Sequence, residues 1–180
     1  MRLHLVRHLA PLVGPGICYG RTDLAVDPHT EAAALPALRQ ALPVGVPIYS
    51  SPLQRCASLA RRLGADVRID ARLVELDFGA WEMRRWDQIA RSEIDAWAAD
   101  VAHYRPGGGD SVIGMAHRID AFYNTLLAGE RGDAIVICHA GSMRLLAARQ
   151  RGLDPEAMAR AAAERPHAIA YGEVLTIDCV

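Results

Sequence analysis

The sequence predicts an α/β protein, three layers deep (α/β/α), around a mostly parallel central sheet. Apolar runs of strand length alternate along the chain with stretches of helical periodicity, the pattern of a sheet covered by helices on both faces. Two of those runs, Leu3-His4-Leu5-Val6 and Ala134-Ile135-Val136-Ile137-Cys138, are closely followed by a histidine and then a chain break or small-residue turn. The 180 residues are 51% hydrophobic and 23% charged, with no linker, repeat or low-complexity tract, so a single domain over residues 1–180 is expected.

The first strand, Arg2 to Val6, runs out at Arg7-His8, before Leu9-Ala10-Pro11 and Gly14-Pro15-Gly16. A helix over Thr30 to Ala41 follows, then a strand from Val46 to Tyr49. Ser51 as N-cap with Pro52 at N1 starts the next helix, which runs to Leu63 and carries Arg55 in its first turn. Val67 to Asp70 alternates as an edge strand does. Trp86 to Asp100 reads as a helix. Gly107-Gly108-Gly109 has neither GxGxxG nor Walker spacing and reads as a flexible hinge before a helix from Ser111 to Ala128, capped at Asp110 or Ser111. Ala134 to Cys138 is a buried strand, Gly141 to Arg151 and Pro155 to Glu164 are helices, and Val174 to Cys179 is the last strand.

Composition removes several function classes. A formal charge of −1 argues against general polyanion binding, so no nucleic-acid partner is expected. All 20 basic residues are arginine. Without lysine there is no Schiff base, no P-loop lysine, no Ser-Lys pair and no kinase-type lysine. Cys18, Cys56, Cys138 and Cys179 are scattered without a CxxC, which suits reduced thiols in a cytosolic protein. Met1-Arg2 leads straight into a strand, so no signal peptide is expected, and no apolar run approaches the ~20 residues of a membrane helix. The expectation is a cytoplasmic protein with no membrane partner.

In an open α/β sheet, ligands bind beyond the carboxyl ends of the strands. His8 and His139 both stand there, and the helix that carries Arg55 opens on the same crevice. A helix N-terminus with a guanidinium in its first turn favours an oxyanion, although Arg55 taken alone is as readily a solvated helix residue. No metal or other cofactor is expected. His4 and His8 are ~13 Å apart at ~3.3 Å per strand residue, too far to share an ion, and the arginines beside His8 and His139 would repel a cation. There is neither HExxH nor a G-x-S-x-G elbow. His4 reads as a packed strand residue, and His29, His103, His117 and His167 as surface or packing residues. What remains is Arg7, His8, Arg21, Arg55, Glu75 and His139. Neutral imidazole can attack phosphorus directly. Nearby guanidinium groups keep it unprotonated and neutralise the non-bridging oxygens. Glu75, in Leu73-Val74-Glu75-Leu76-Asp77-Phe78-Gly79, is either the proton source for a leaving oxygen or an exposed loop carboxylate.

In chain order, Arg7-His8, Ser51-Pro52-Leu53-Gln54-Arg55-Cys56, Glu75 through Phe78-Gly79-Ala80-Trp81-Glu82, and His139-Ala140-Gly141 resemble four motifs of the histidine phosphatase superfamily, the phosphoglycerate mutase-like fold. The resemblance spans nearly the whole chain. It implies that His8 is the nucleophile, that Arg7, Arg55 and His139 form a phosphate pocket, that Glu75 is the proton donor, and that Arg21 and Ala140 touch substrate. The segment of about 77–110 would be an insertion over the active site, from which at least one of Trp81, Trp86, Trp97 and Tyr104 reaches the pocket. Gly16 to Asp23 and Pro106 to Ser111 resemble loops of α-ribazole phosphatases, which implies a small-molecule phosphate ester, α-ribazole 5′-phosphate, as substrate. A broad-specificity phosphatase on the same scaffold and a non-catalytic phosphate-binding module are the rival expectations. Three residues depart from the family pattern: Leu9 after the Arg-His pair, Met83 in place of Gly after Trp-Glu, and Asp110 in place of Glu.

Overall fold

The computed structural model describes residues 1–164 and 168–179. Among them the elements run β1 (Arg2–Arg7), α1 (Pro28–Ala41), β2 (Ile48–Ser50), α2 (Gln54–Leu63), β3 (Val67–Ile69), α3 (Arg91–Ala99), α4 (Val112–Gly129), β4 (Ala134–Cys138), α5 (Ala140–Gln150), α6 (Pro155–Ala163) and β5 (Val174–Asp178). The sheet order is β3-β2-β4-β1-β5. All pairings are parallel except β1 with β5, which is antiparallel.

Strand alternation divides the core into two layers, because successive side chains leave a strand on opposite faces. Leu3 and Leu5 of β1, with Ala134, Val136 and Cys138 of β4, pack under α4, α5 and α6. Val6, Ile135 and Ile137 face the other way, onto Leu35 and Leu38 of α1 and Cys56, Leu59 and Ala60 of α2. Every residue of β4 is buried, as its unbroken apolar run requires. A third, smaller cluster of Cys18, Trp81 and Ile89 draws mainly on the irregular chain between β3 and α4.

The sheet register places the site. β1 and β4 pair Leu3 with Ala134 and so on to Arg7 with Cys138, so His8 and His139 leave the sheet side by side. β2 and β4 pair Ser50 with Ile137, which brings Ser51 to the same edge. Two backbone bonds extend the ladder, from His8 N–H to the Cys138 carbonyl and from Ser51 N–H to the Ile137 carbonyl, both at 3.0 Å.

Three local expectations change. Helix α2 begins at Gln54, not Pro52, and Ser51 is not its N-cap residue. Its first N–H, that of Gln54, instead donates to Asp23 Oδ1 at 2.7 Å, a cap delivered from a distant loop. The stretch from Trp86 to Asp100 is not one helix. A single 3₁₀ turn, Trp86–Gln88, precedes α3, and Ile89 and Ala90 between them are extended because Ile89 is drawn into the Trp81 cluster. The glycine run is not a hinge but a packed turn: Gly107 and Gly108 have φ of +59° and +75°, and a Cβ on Gly107 would collide with the Phe78 carbonyl. Asp110 N–H donates to the Asp77 carbonyl at 2.8 Å, closing the two loops on each other.

Candidate active site

His8 sits at the carboxyl end of β1 and is 3% exposed. Its Nδ1 lies 2.7 Å from the Leu9 carbonyl oxygen. A carbonyl can only accept, so Nδ1 carries the proton and Nε2 keeps its lone pair. Burial pushes the His8 imidazole down to about 3; the Leu9 bond opposes this, while Arg55 and Arg7 add to it. At neutral pH the ring is therefore uncharged. The His139 ring centroid is 5.1 Å away. His139 is fully buried, its Nε2 lies 2.9 Å from Ser51 Oγ, and burial, with His8, Arg55, Arg118 and Arg7 nearby, holds it well below the usual imidazole range.

Two guanidinium groups flank the pair, each tied back to main-chain carbonyls. Arg7 Nη1 donates to the Ile169 carbonyl at 2.5 Å, and its guanidinium carbon stands 3.9 Å from the centroid of the Tyr171 ring, in cation–π contact. Arg55, 1% exposed, donates from Nη1 to the Thr22 carbonyl at 2.7 Å and from Nη2 to the Gly20 carbonyl. Arg7 Nε and Arg55 Nε are both buried donors without a hydrogen-bond partner. Leaving such donors unpaired is costly, and the two cations beside His8 suit an oxyanion there.

Glu75 is held from two sides: Leu76 N–H donates to Oε1 at 2.9 Å, and Gly141 N–H at the start of α5 donates to Oε2 at 3.0 Å. A Cβ on residue 141 would run into this carboxylate, so glycine there is what lets the Glu75 side chain sit on the Gly141 N–H. Arg118 of α4 fixes the Glu75 segment from behind, donating to the carbonyls of Arg72, Val74 and Glu75 at 2.7, 2.5 and 3.1 Å.

Arg7, His8, Arg55, Glu75, Ala140 and Gly141 line one cavity of about 370 Å³. Its remaining wall is largely apolar: Ile17, Phe78, Trp86, Trp97, Val101, Val112, Met115 and Leu145, with Arg144 as a further cation. Trp86 and Trp97 lie nearly parallel, 8° apart with centroids at 6.1 Å, and Phe78 meets each edge-on. Trp97 Nε1 is a buried donor without a partner. Trp81 is in the small third cluster instead, its Nε1 3.3 Å from Glu93, and Tyr104 packs beside it; neither lines the cavity.

Other sequence-selected residues lie elsewhere. The structure does not bring Arg21 to the cavity: its side chain is 58% exposed and faces Asp77 at 3.8 Å. His4 is buried, 3.1 Å from Thr176 Oγ1. His29 and His117 are exposed. His103, also exposed, pairs with Asp100 and Glu156 at 3.0 and 3.3 Å. His167 lies outside the described residues. Leu9 turns into the layer under α1 and α2. Asp110 faces Arg118 at 3.6 Å. Met83 takes the left-handed backbone conformation that glycine adopts freely, with φ of 63°.

Several residues of the site had no individual signal in the sequence. Tyr19 and Tyr171 join hydroxyl to hydroxyl at 2.5 Å beside the two arginines, and the Tyr171 ring lies 5.6 Å from His8. Tyr19 stands inside the Gly16–Asp23 string, whereas nothing near Tyr171, Arg118 or Arg144 sets them apart.

A sequence profile of the histidine phosphatase superfamily (branch 1) matches residues 3–171. The adenosylcobalamin/alpha-ribazole phosphatase of Escherichia coli (strain K12) is 29% identical over 169 residues, which cover 88% of this chain and 83% of that protein. The crystal structure of TTHB049 from Thermus thermophilus superposes with a TM-score of 0.74 at 29% identity, covering 99% of this chain and 94% of that one. The mycobacterial glucosyl-3-phosphoglycerate phosphatase Rv2419c in complex with VO3 gives a TM-score of 0.80 at 26% identity, covering 98% and 92% of the two chains.

Proposed function

Because the chain belongs to the histidine phosphatase superfamily, branch 1, and is a phosphatase, we propose that it hydrolyses phosphomonoesters through a phosphohistidine on His8. The observation that carries this reading is the uncharged His8 ring with Nε2 unprotonated, between two buried guanidinium N–H groups that lack partners. His8 Nε2 attacks phosphorus as the ester P–O bond breaks, and the leaving oxygen takes a proton from the Glu75 carboxyl. The Glu75 carboxylate then accepts a proton from water, whose oxygen attacks the same phosphorus; the P–N bond breaks and inorganic phosphate leaves. Arg7 and Arg55 hold the non-bridging oxygens throughout, the charge stabilisation that a loose phosphoryl transition state needs, so no metal ion is required. His139, kept neutral and bonded to Ser51, is buried against the His8 ring rather than lining the cavity, and supports that ring. Rapid-quench labelling with a radioactive phosphate ester tests this: label bound to His8 is expected, and a parent enzyme that turns over with no trapped label would overturn it.

For the substrate, α-ribazole 5′-phosphate in assembly of the cobalamin nucleotide loop is the reading best supported. Two adenosylcobalamin/alpha-ribazole phosphatases, from Escherichia coli and Salmonella typhimurium, are each 29% identical to this chain. The aromatic wall of Phe78, Trp86 and Trp97 suits a heteroaromatic leaving group, and Trp97 Nε1 is a donor for an acceptor atom on it. Reduced, buried cysteines fit a cytoplasmic setting for this activity. Arg144 in the same wall favours a second reading, a broader phosphatase that also accepts anionic esters. Comparing kcat/KM for α-ribazole 5′-phosphate, 3-phosphoglycerate and sugar phosphates separates the two. A preference of tenfold or more for the ribazole ester is expected, and equal values would leave the broader reading.

A further inference from the structure

Glu82 belongs to a motif that the chemistry above leaves unused, yet it is the most heavily bonded carboxylate near the cavity. Its Oε1 accepts from Arg21 N–H at 2.8 Å and Phe78 N–H at 3.0 Å. Its Oε2 accepts from Gly20 N–H at 3.2 Å, Thr22 N–H at 2.9 Å and the Thr22 hydroxyl. Burial pushes the Glu82 carboxyl upward, but these donors outweigh it and hold the group below the usual carboxylate range. The same three residues, 20–22, turn their carbonyls to Arg55, through Gly20 and Thr22. The peptide unit between Gly20 and Arg21 thus has its N–H on an anion and its C=O on a cation.

We propose that Glu82 is the positioning residue for Arg55, acting through the peptide groups of residues 20–22. Arg55, whose guanidinium lines the cavity, sends one N–H of each terminal nitrogen to this tripeptide, while its buried Nε has no partner. The plane of the guanidinium, and so the direction of Nε, follows the orientation of two carbonyls. The Gly20 carbonyl shares its peptide plane with the Arg21 N–H fixed on Glu82, and the Thr22 carbonyl belongs to a residue whose own N–H and hydroxyl are fixed there. A glutamine cannot replace the carboxylate, because either orientation of its amide sets an NH₂ group against N–H donors. Charge also passes along this route. The carboxylate polarises the Gly20–Arg21 peptide group in the sense that strengthens the Gly20 carbonyl as an acceptor for Arg55.

This inference rests on the reading of Arg55 as a phosphate anchor, and a double-mutant cycle keeps the two apart. The readout is kcat/KM for p-nitrophenyl phosphate in the parent, Glu82→Gln, Arg55→Ala and the double variant, with thermal unfolding of all four. Glu82→Gln is expected to lower kcat/KM 10- to 100-fold, chiefly through KM, in the parent background, and less than threefold once Arg55 is alanine. The same factor in both backgrounds would overturn the relay, since a general structural role adds independently of Arg55. Arg55→Ala with parental kcat/KM would instead remove the anchor itself. Should Glu82→Gln fail to fold, Thr22→Val, which deletes one donor of the five, takes its place in the cycle. A two- to fivefold loss that disappears in the Arg55→Ala background is then the supporting result, and a loss of equal size in both backgrounds the opposing one.

Discussion

The two ends of the cavity are built in different ways. At one end His8, Arg7, Arg55 and Glu75 are held by the main chain: the Leu9, Ile169, Gly20 and Thr22 carbonyls, the Leu76 and Gly141 N–H groups, and the register of β1 on β4, with His139 buried behind His8. At the other end Phe78, Trp86 and Trp97 are held by one another, on two 3₁₀ turns and a nine-residue helix. Each ring pair contributes about 0.5–1.5 kcal/mol beyond its area burial, and none of the three rings belongs to a strand of the sheet. On the proposed mechanism, His8 and Arg55 stand at a strand end and a helix start, Glu75 comes from irregular chain, and the leaving group meets the aromatic end. Substrate preference can change on this scaffold while the phosphoryl chemistry stays.

The sharpest way to break that division is at His8. Replacing it with alanine is expected to lower kcat by on the order of 10³-fold or more on every ester alike. p-Nitrophenyl phosphate hydrolysis with a chelator present is the measurement, and equal rates in parent and variant would remove His8 from the reaction. Glu75→Gln comes next, with a loss of about 10²- to 10⁴-fold on an alkyl phosphate. The loss should shrink sharply for p-nitrophenyl phosphate, because that leaving group departs without a proton. An identical deficit on both esters would mean that Glu75 does something other than protonate the leaving oxygen.

The polar end also carries a pH signature that the aromatic end lacks. On folding, His8 is lowered from the ordinary imidazole value of 6.5 to about 3, so between those values the unfolded chain binds the extra proton and the native state does not. Stability then rises with pH across that window, is complete above about 6.5, and is lost as pH falls toward 3. His139, shifted the same way by burial, adds to the slope. Thermal unfolding between pH 4 and 7 should show Tm falling with acidity, with a shallower slope in His8→Asn. An unchanged slope in that variant would refute the assignment of this window to His8. Trp97→Phe tests the other end. It keeps a ring but deletes the buried Nε1 donor, and KM for a heteroaromatic ester should rise about three- to tenfold, the range of one ordinary hydrogen bond, with KM for p-nitrophenyl phosphate nearly unchanged.

The same division explains what could be read in advance. β1 and β4 are apolar runs ending near a histidine, and once they pair in parallel the neighbourhood of His8 and His139 follows from the register. Arg55 stands in a short string at a helix start, and Glu75 in a short string of irregular chain after the 3₁₀ turn Ala71–Leu73. Arg118 could not be found this way, because on its helix it looks like any arginine of an amphipathic face; only the tertiary fold delivers it to three carbonyls 43 to 46 residues away. Ser51 was legible as a polar residue before a helix but not as the partner of His139, since Asp23 supplies the cap. The break in the segment from Trp86 to Asp100 escaped for a related reason: helical spacing is a local signal, and Ile89 obeys a distant cluster instead.

Met83 gives the finest test of how the irregular end is built. Among the described residues it is the one non-glycine with positive φ, and its side chain is 47% exposed, so little packing offsets the conformation. Its N–H donates to the Cys18 carbonyl at 2.8 Å, which holds the backbone there whatever the side chain. The left-handed conformation costs an L-residue roughly 1–2 kcal/mol. Met83→Gly removes that cost but gives the unfolded chain more freedom, worth about 0.5–1 kcal/mol in the opposite direction. The net gain is therefore a fraction of a kcal/mol, a Tm increase of ~1–2 °C at this chain length. kcat/KM for p-nitrophenyl phosphate should not move, since Met83 does not line the cavity. Met83→Ala separates the causes: it keeps the strain and loses the side chain, so its Tm should not rise. A Tm that falls in the glycine variant would show that the methionine side chain supports the aromatic wall after all.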